Sequence, residues 1–181
     1  MHFTFVDCVL QLQPGVSITT LKCLSLGEEY LADHFPRFPV MPGVLMLQAM
    51  TEASAMLIGA TEDFAHSMVT LKEARNVRFA DFVEPGCVLT VTAEILSIEP
   101  REVQLKTQGT MSDRVAVSGR LVLERYNLAD SRPDLAPTDA FLKSHRRTQL
   151  ALVYRPRLEA AADSAMMAPL SGSPEPSQGK V

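Results

Sequence analysis

The chain has few cysteines, and their spacing excludes two common kinds of cysteine site. Its 181 residues include Cys8, Cys23 and Cys87, which are odd in number and far apart, without a Cys-x-x-Cys pair. Neither a disulfide framework nor a zinc site fits this pattern, so we expect a reducing compartment. The N-terminus also lacks a basic region followed by a long apolar run. These features predict a cytoplasmic protein.

A dense block of basic residues is missing as well. The formal net charge is −4 at pH 7, and the one basic cluster, His145-Arg146-Arg147, lies near the C-terminus. This balance of charge gives no support for nucleic-acid binding. For the cluster the sequence leaves two interpretations open, a solvated helix face and a surface for an acidic partner.

The familiar catalytic signatures are absent too. The chain has no serine nucleophile elbow, no His-Glu-x-x-His, no P-loop, no dinucleotide-binding fingerprint and no internal repeat. Of its four histidines, His2 is terminal, His66 follows a predicted helix and His145 lies in the C-terminal part. His34 is therefore the histidine on which a catalytic prediction rests.

Composition divides the chain into two parts. A hydrophobic fraction of 46% is enough for the core of one domain, which we place at residues 1–126. Alanine, proline and serine become frequent in the extension over residues 127–181. Within it, residues 138–154 can form a helix, and the Ser/Pro-rich stretch 171–177 has the composition of a disordered tail.

The most informative stretch is His34-Phe35-Pro36-Arg37-Phe38-Pro39-Val40-Met41-Pro42-Gly43. Its three prolines fix φ and remove main-chain donors, which predicts a stiff extended loop. Pro42 suits the first turn of a helix, and a run of good helix formers follows Gly43. We therefore expect a rigid loop that leads into a helix.

That helix, over residues 44–60, is apolar on nearly all sides, which is typical of a core or membrane helix. It is short for a membrane span and carries Gln48 and Glu52, so we expect it in the core, ending near Gly59 as a C-cap. At about 100° per residue, Gln48, Thr51 and Glu52 share one stripe. That stripe either faces solvent or lines a site beside His34.

Strand patterns surround the helix. Two runs of strand formers are separated by Pro14-Gly15 and predict a hairpin, and three later runs with alternating apolar residues predict an antiparallel meander. Residues 67–79 form a mixed run that is broken by charges. The predicted strands cover residues 3–13, 16–26, 88–98, 103–111 and 115–124. Together with one central helix they indicate an α+β fold in which the sheet wraps the helix.

The loop and the helix start also suggest chemistry. Prolines immobilise the surroundings of His34, and fixed placement is what a general base needs. The amide of Gly43 lies at a helix N-terminus, where unpaired N–H groups and the helix dipole favour a carbonyl oxygen that gains negative charge.

The run His34-Phe35-Pro36-x-x-Pro39-Val40-Met41-Pro42-Gly43-Val44-Leu45 resembles the signature of the bacterial 3-hydroxyacyl-acyl-carrier-protein dehydratases. The resemblance extends in order over most of residues 3–125, through Phe5-Val6-Asp7, Pro14-Gly15 and Val83-Glu84-Pro85-Gly86. It does not cover the chain beyond about residue 127. The family's usual helix before the first strand is missing here.

The resemblance implies a hotdog fold, in which a curved antiparallel sheet wraps one long helix and two sheets join in a dimer or a trimer of dimers. It implies that His34 abstracts the substrate's α-proton, that the Gly43 amide polarises the thioester carbonyl, and that an acidic residue of the partner's helix protonates the departing hydroxyl. The substrate would arrive on the phosphopantetheine of acyl carrier protein, with no metal or redox cofactor. We expect substrate contacts along the loop from Phe35, Arg37, Pro39, Met41 and Val44.

Two positions depart from the family pattern. The family's acidic residue falls at Gln48, which cannot donate a proton as an acid, and Glu52 stands where many members carry glutamine. Glu52 lies about 6 Å further along the helix, but its side chain leans towards the N-terminus and could act through Gln48 or a water. Arg37 replaces a residue that is usually small, and it could be a surface charge or meet the carrier protein, with Lys72, Arg75 and Arg78 extending a basic patch.

Three functions fit these residues. The first is a 3-hydroxyacyl thioester dehydratase of fatty-acid or related acyl synthesis. The second is a weakly active or inactive hotdog subunit that binds acyl chains within a hetero-oligomer, and the third is a hotdog thioesterase. The length of the acyl chain stays open, because a methionine-rich helix is as typical of core as of a chain-binding tunnel.

Overall fold

A computed structural model describes residues 4–35 and 37–155 of the chain. The predicted disordered tail lies outside the described residues. The main elements, in chain order, are β1 (Cys8–Gln13), β2 (Ser17–Cys23), α1 (Tyr30–Asp33), α2 (Gly43–Thr61), β3 (Met68–Phe79), β4 (Val88–Ile98), β5 (Glu102–Met111), β6 (Arg114–Tyr126) and α3 (Ala136–Val153), with two short 3-10 turns at Leu128–Asp130 and Pro133–Leu135.

The strands described form one six-stranded antiparallel sheet in the order β1-β2-β4-β5-β6-β3. On β4 and β5 buried and exposed residues alternate, because successive side chains point to opposite faces of a sheet. The buried face curves around α2. The predicted hairpin β1–β2, the meander β4–β5–β6 and the α+β hotdog fold are confirmed.

Helix α2 occupies the centre of the core. Its largest fully buried side chains are Met50, Leu57 and Ile58, which pack with residues from every strand of the sheet. By length and composition α2 could also cross a membrane, but half of that apolar segment is buried within the chain. The prediction of a core helix is confirmed.

The predicted end of this helix at Gly59 is wrong. The helix continues to Thr61, and the cap residue is Glu62, whose main-chain N–H donates to the carbonyl of Ile58 at 3.1 Å. Gly59 is instead a buried packing position, because a Cβ there would lie 2.9 Å from the ring of Phe64. Its small size serves helix packing rather than a turn.

Strand β3 was not predicted, and its environment explains why. It lies at the edge of the sheet, pairs with β6 alone, and has two register irregularities, between Leu71 and Glu73 and between Arg75 and Arg78. Most of its side chains are exposed. A half-solvated, bulged strand does not show the regular alternation by which strands are recognised in a sequence.

Strand β1 begins at Cys8, later than the residue 3 predicted. The main-chain N–H of Phe5 donates to the side chain of Glu52 rather than to a neighbouring strand. Regular pairing with β2 starts at Cys8, opposite Leu21. The N-terminal segment is therefore attached to α2 before it joins the sheet.

Helix α3 spans Ala136–Val153, close to the stretch 138–154 in which the sequence suggested a helix, and it packs on α2 and β1. The buried carboxylate of Asp139 accepts hydrogen bonds from the Ser67 hydroxyl and from the N–H groups of Leu128, at 3.0 Å, and Ala129, at 2.9 Å. Burial alone would raise the pKa of Asp139, but these hydrogen bonds lower it. The charged carboxylate thus fixes the start of α3.

The two edges of the sheet differ. After α3, Tyr154 forms a parallel bridge with Val9, and the N–H of Arg155 donates to the Val9 carbonyl at 2.9 Å. These contacts cover part of the outer edge of β1. In the part of the chain that the structure describes, no strand pairs with the outer edge of β3.

Candidate functional site

His34 lies directly after α1, in an extended conformation with φ −102° and ψ 103°. The next residue, Phe35, has φ +51°, a conformation that costs a bulky residue about 1–3 kcal/mol. The two rings lie 4.4 Å apart, and Phe35 is 58% exposed while His34 is half-buried. The histidine thus lies at the surface, in a constrained turn.

The segment that leads to α1 is fixed by a buried lysine. The amine of Lys22 contacts Glu28 at 2.8 Å and Asp7 at 3.3 Å. Burial would lower the pKa of Lys22, but the hydrogen bond that its amine donates to Glu28 and the two carboxylate charges raise it. A charged lysine therefore joins β2 to the chain just before His34.

The second half of the loop that follows His34 packs against the core. The N–H of Phe38 donates to the Phe35 carbonyl at 2.8 Å, and the N–H of Met41 donates to the Val83 carbonyl at 2.8 Å. That second bond turns the side chain of Met41 into the core, where it is 1% exposed. The substrate contact expected at Met41 therefore stays a prediction, and in the single chain this side chain belongs to the core.

Helix α2 begins at Gly43, with Pro42 as its N-cap. No side chain described caps this end, and no acidic residue lies in the first turn, so the first main-chain N–H groups have no side-chain partner there. The ring of Phe79 covers Gly43, since a Cβ at this glycine would lie 3.2 Å from it. Val44, the next residue, is 67% exposed.

An exposed apolar patch surrounds the helix start. Phe38 and Phe82 pack edge to face, with ring centroids 5.6 Å apart. The patch, which we call the helix-start patch, consists of Phe35, Phe38, Val44, Phe79 and Phe82. Clusters of exposed aromatic side chains of this kind mark interaction sites.

Gln48 and Glu52 lie on a different side of α2. They line a cavity of about 480 Å³ between α2 and α3. The α2 wall is the stripe Gln48, Thr51, Glu52, Ala55 and Met56. The prediction that Gln48, Thr51 and Glu52 share one stripe is confirmed, and the stripe lines a cavity.

Glu52 has a structural contact within this cavity. Its Oε2 accepts the main-chain N–H of Phe5 at 2.6 Å. The carboxylate therefore ties the N-terminal segment to α2, while its side chain still lines the cavity beside Gln48.

Helix α3 supplies the facing wall, which the sequence did not predict. Burial lowers the pKa of the Arg146 guanidinium, and His145 stacks on Phe141 with ring centroids 5.8 Å apart. The α3 wall consists of Leu142, His145, Arg146, Gln149, Leu152 and Val153. The signal that could have revealed it is the helical spacing of these residues, which places them on one face.

The two halves of the predicted site do not line the same cavity. His34 and Gly43 lie at the loop and the helix start, whereas Gln48 and Glu52 line the α2–α3 cavity. Gln48 lies five positions after Gly43, which places the two residues about 140° apart around the helix axis.

The remaining predicted contacts lie on the surface. Arg37 is exposed, and Pro39 lines a separate cavity of about 340 Å³ next to α1. Lys72 pairs with Glu102, and Arg75 pairs with Glu73 at 2.6 Å. These pairs reduce the positive charge of the predicted basic patch.

Metal ligation has no support in the described part of the chain. No group of three or more His, Cys, Asp or Glu side chains within residues 4–35 and 37–155 could hold an ion.

Comparison with known proteins identifies relatives for most of the chain. A FabA-like domain matches residues 1–125. The 3-hydroxyacyl-[acyl-carrier-protein] dehydratase FabZ of Ruminiclostridium cellulolyticum is 32% identical over 119 residues, covering 66% of this chain and 84% of the relative. The protein of that name from Levilactobacillus brevis is 34% identical over 117 residues, covering 65% and 79%.

A solved structure supports the fold. The dehydratase heterocomplex ApeI:P from Xenorhabdus doucetiae aligns with a TM-score of 0.61 at 16% identity, over 74% of this chain and 90% of that chain. The match to the FabA-like domain ends before α3, so the α3 wall of the cavity lies outside it.

Proposed function

The chain belongs to the FabA-like family, and from this premise we propose that it is a 3-hydroxyacyl-[acyl-carrier-protein] dehydratase. It would eliminate water from (3R)-hydroxyacyl thioesters to give trans-2-enoyl thioesters in fatty-acid or related acyl biosynthesis. The observation that carries the proposal is the constrained His34 loop, which leads directly into the uncapped N-terminus of α2 at Gly43.

The proposed reaction uses these two groups in one step. The imidazole of His34 takes the α-proton, and the electrons of that C–H bond form the C=C bond as the C–O bond at the β-carbon breaks. The N–H of Gly43 donates to the thioester oxygen, which gains negative charge during proton removal. The departing hydroxyl needs a proton to leave as water.

We propose that Glu52 provides this proton, through Gln48 or a bridging water. Gln48 occupies the position of the family's acid but cannot supply a proton. Loss of a general acid costs about 10²–10⁴-fold in rate, or roughly 3–5 kcal/mol. Both side chains line the same cavity, which supports a relay between them.

We propose a homodimer, or a trimer of dimers, in which each site combines two chains. The separation of His34 from Gln48 within one chain supports a shared site. The open edge of β3 and the helix-start patch support the joining of two sheets, because unpaired edges and exposed aromatic clusters favour association. His34 of one chain would then act across from the Gln48 stripe of the other.

The substrate in this proposal is carried on the phosphopantetheine of acyl carrier protein. Phe35, Arg37, Pro39 and Val44 would contact the arm or the acyl chain near His34. The proposed chemistry needs no metal or redox cofactor. We propose a cytoplasmic site of action, in keeping with the three unpaired cysteines.

A second function is favoured by one observation. Because Gln48 replaces the acidic residue, the chain could bind acyl groups as a weakly active subunit of a hetero-oligomer, with the acid on a different partner chain. The fold neighbour from Xenorhabdus doucetiae is itself a dehydratase heterocomplex, although that likeness extends only to the fold.

The test is the hydration–dehydration equilibrium of crotonyl and longer enoyl thioesters on acyl carrier protein. Wild type would be compared with His34→Ala and Gln48→Glu, and His66→Ala would serve as the control for loss of an imidazole elsewhere. Under the proposal, wild type turns over, His34→Ala loses at least a hundredfold in rate, and His66→Ala keeps its activity.

Other outcomes separate the two functions. A silent wild type that becomes active as Gln48→Glu would identify a subunit without its acid. Full activity in His34→Ala would contradict both proposed functions.

A further inference from the structure

The cavity between α2 and α3 has a feature that dehydration does not use. Its α3 wall lies beyond the matched family domain, and the proposed reaction assigns no role to Arg146. We propose that this cavity binds an amphiphilic anion, a carboxylate on an alkyl chain, with Arg146 contacting the carboxylate.

The charge of Arg146 is the first support. Burial lowers the pKa of its guanidinium, and none of the ion pairs among the described residues includes Arg146. Its neighbour Arg147, by contrast, contacts Asp63 at 2.8 Å. A partly buried cation without a carboxylate partner is costly, and an anionic ligand would relieve that cost.

The polar groups around Arg146 fit a carboxylate. A guanidinium binds a carboxylate with two parallel hydrogen bonds, and amide and hydroxyl groups can satisfy the remaining lone pairs. Gln48, Thr51 and Gln149 line the same cavity. Glu52 also lines it, but its Oε2 is directed to the Phe5 N–H.

The rest of the cavity is apolar and long enough for a chain. The α2 wall runs from Gln48 to Met56, eight helical steps or about 12 Å. The cavity volume of about 480 Å³ lies within the usual range for small-molecule sites. The apolar lining consists of Ala55, Met56, Phe64, Val69, Leu142, Leu152 and Val153.

Two sources could supply this chemistry. One is a free fatty acid, and the other is an acyl thioester whose far end carries a carboxylate. For a free fatty acid, the proposal does not depend on the dehydratase function. For the acyl thioester it rests on that proposed function, because Gln48 and Glu52 would then meet the substrate that Arg146 holds.

The test is direct binding of sodium decanoate to the full chain by isothermal titration calorimetry, with 1-decanol as the uncharged probe. Arg146→Met removes the charge and keeps an unbranched apolar stem, and Arg146→Lys keeps the charge. Arg120→Gln removes an exposed charge from β6 and serves as the control. We expect decanoate to bind more tightly than decanol, and Arg146→Met to lose at least tenfold in decanoate affinity. Arg146→Lys should retain part of the affinity, and Arg120→Gln all of it.

Equal binding of decanol and decanoate, or unchanged decanoate affinity in Arg146→Met, would overturn the proposal. A turnover assay distinguishes the sources. If wild type prefers enoyl thioesters with a terminal carboxylate and Arg146→Met abolishes that preference, the ligand is the substrate. If decanoate binds and no such preference exists, the ligand is a free fatty acid. Because binding is measured without turnover, a failed dehydratase assay leaves this result intact.

Discussion

The carboxylate of Glu52, on the central helix, accepts the main-chain N–H of Phe5 at 2.6 Å. This contact joins residues 47 positions apart and attaches the N-terminal segment to the wall of the cavity. The one acidic side chain on the Gln48 stripe is therefore an anchor as well as a candidate proton donor.

Glu52→Gln separates these two roles. The amide oxygen of glutamine can still accept the Phe5 N–H, so we expect the free energy of unfolding to fall by no more than about 1 kcal/mol. If Glu52 supplies the proton, hydration of the enoyl thioester should slow by about 10²–10⁴-fold. Urea unfolding measures the change in free energy and the turnover assay measures the change in rate. The control is Glu94→Gln, at an exposed position of β4. Full activity in Glu52→Gln would end the proposal of Glu52 as the acid.

Gly43→Ala tests whether the main-chain N–H at the start of α2 binds the thioester oxygen. The added methyl group would lie 3.2 Å from the ring of Phe79, which is half exposed and can move aside, so we expect a stability change within about 1 kcal/mol. The displaced ring and the methyl group would crowd the Gly43 N–H, and turnover should fall at least tenfold. Phe79→Ala in the same background should restore part of the activity. If Gly43→Ala turns over like wild type, the thioester oxygen does not bind at this amide.

The buried carboxylate of Asp139 should make the packing of α3 sensitive to acid. Because its hydrogen bonds lower its pKa below the ordinary value of 3.8, the folded state favours the charged carboxylate. That stabilisation is complete above the ordinary pKa and is lost as the pH falls through the lowered pKa. We expect hydrogen exchange in α3 to accelerate below about pH 4 while β5 stays protected, if opening is local.

Asp139→Asn should produce faster exchange in α3 already at pH 7, because the amide cannot accept all three hydrogen bonds as a charged group does. The exposed neighbour Asp134→Asn provides the comparison. Equal protection of α3 in Asp139→Asn and wild type would show that this carboxylate does not hold the helix.

Gly59→Ala tests the packing role found for this residue. The new methyl group would lie 2.9 Å from the ring of Phe64, which is buried and held by its own N–H bond to the Gly59 carbonyl at 2.7 Å. We expect overpacking of about 1–3 kcal/mol to exceed the gain of up to about 1 kcal/mol in helix propensity. Urea unfolding measures the net loss.

The smaller side chain of Phe64→Leu should relieve that overpacking, so the two substitutions together should cost less than the sum of their separate effects. Strict additivity would mean that Phe64 does not limit the space at Gly59.

Part of the candidate site was predictable because its signals are local. Prolines at 36, 39 and 42 indicated a stiff loop, and the stripe of Gln48 and Glu52 followed from helical spacing. The burial of Met41 was not predictable, since the main-chain N–H of this residue is held by the carbonyl of Val83, 42 positions away.

The sequence by itself determined the loop–helix unit, the β1–β2 hairpin and the β4–β5–β6 meander, because turn residues and hydrophobic periodicity act over a few positions. Only the tertiary structure decided that β3 is an edge strand, that Glu52 anchors Phe5 and that Arg146 faces the Gln48 stripe. Each of these depends on segments that are distant in the chain and meet only when the sheet closes around α2 and α3 packs over it.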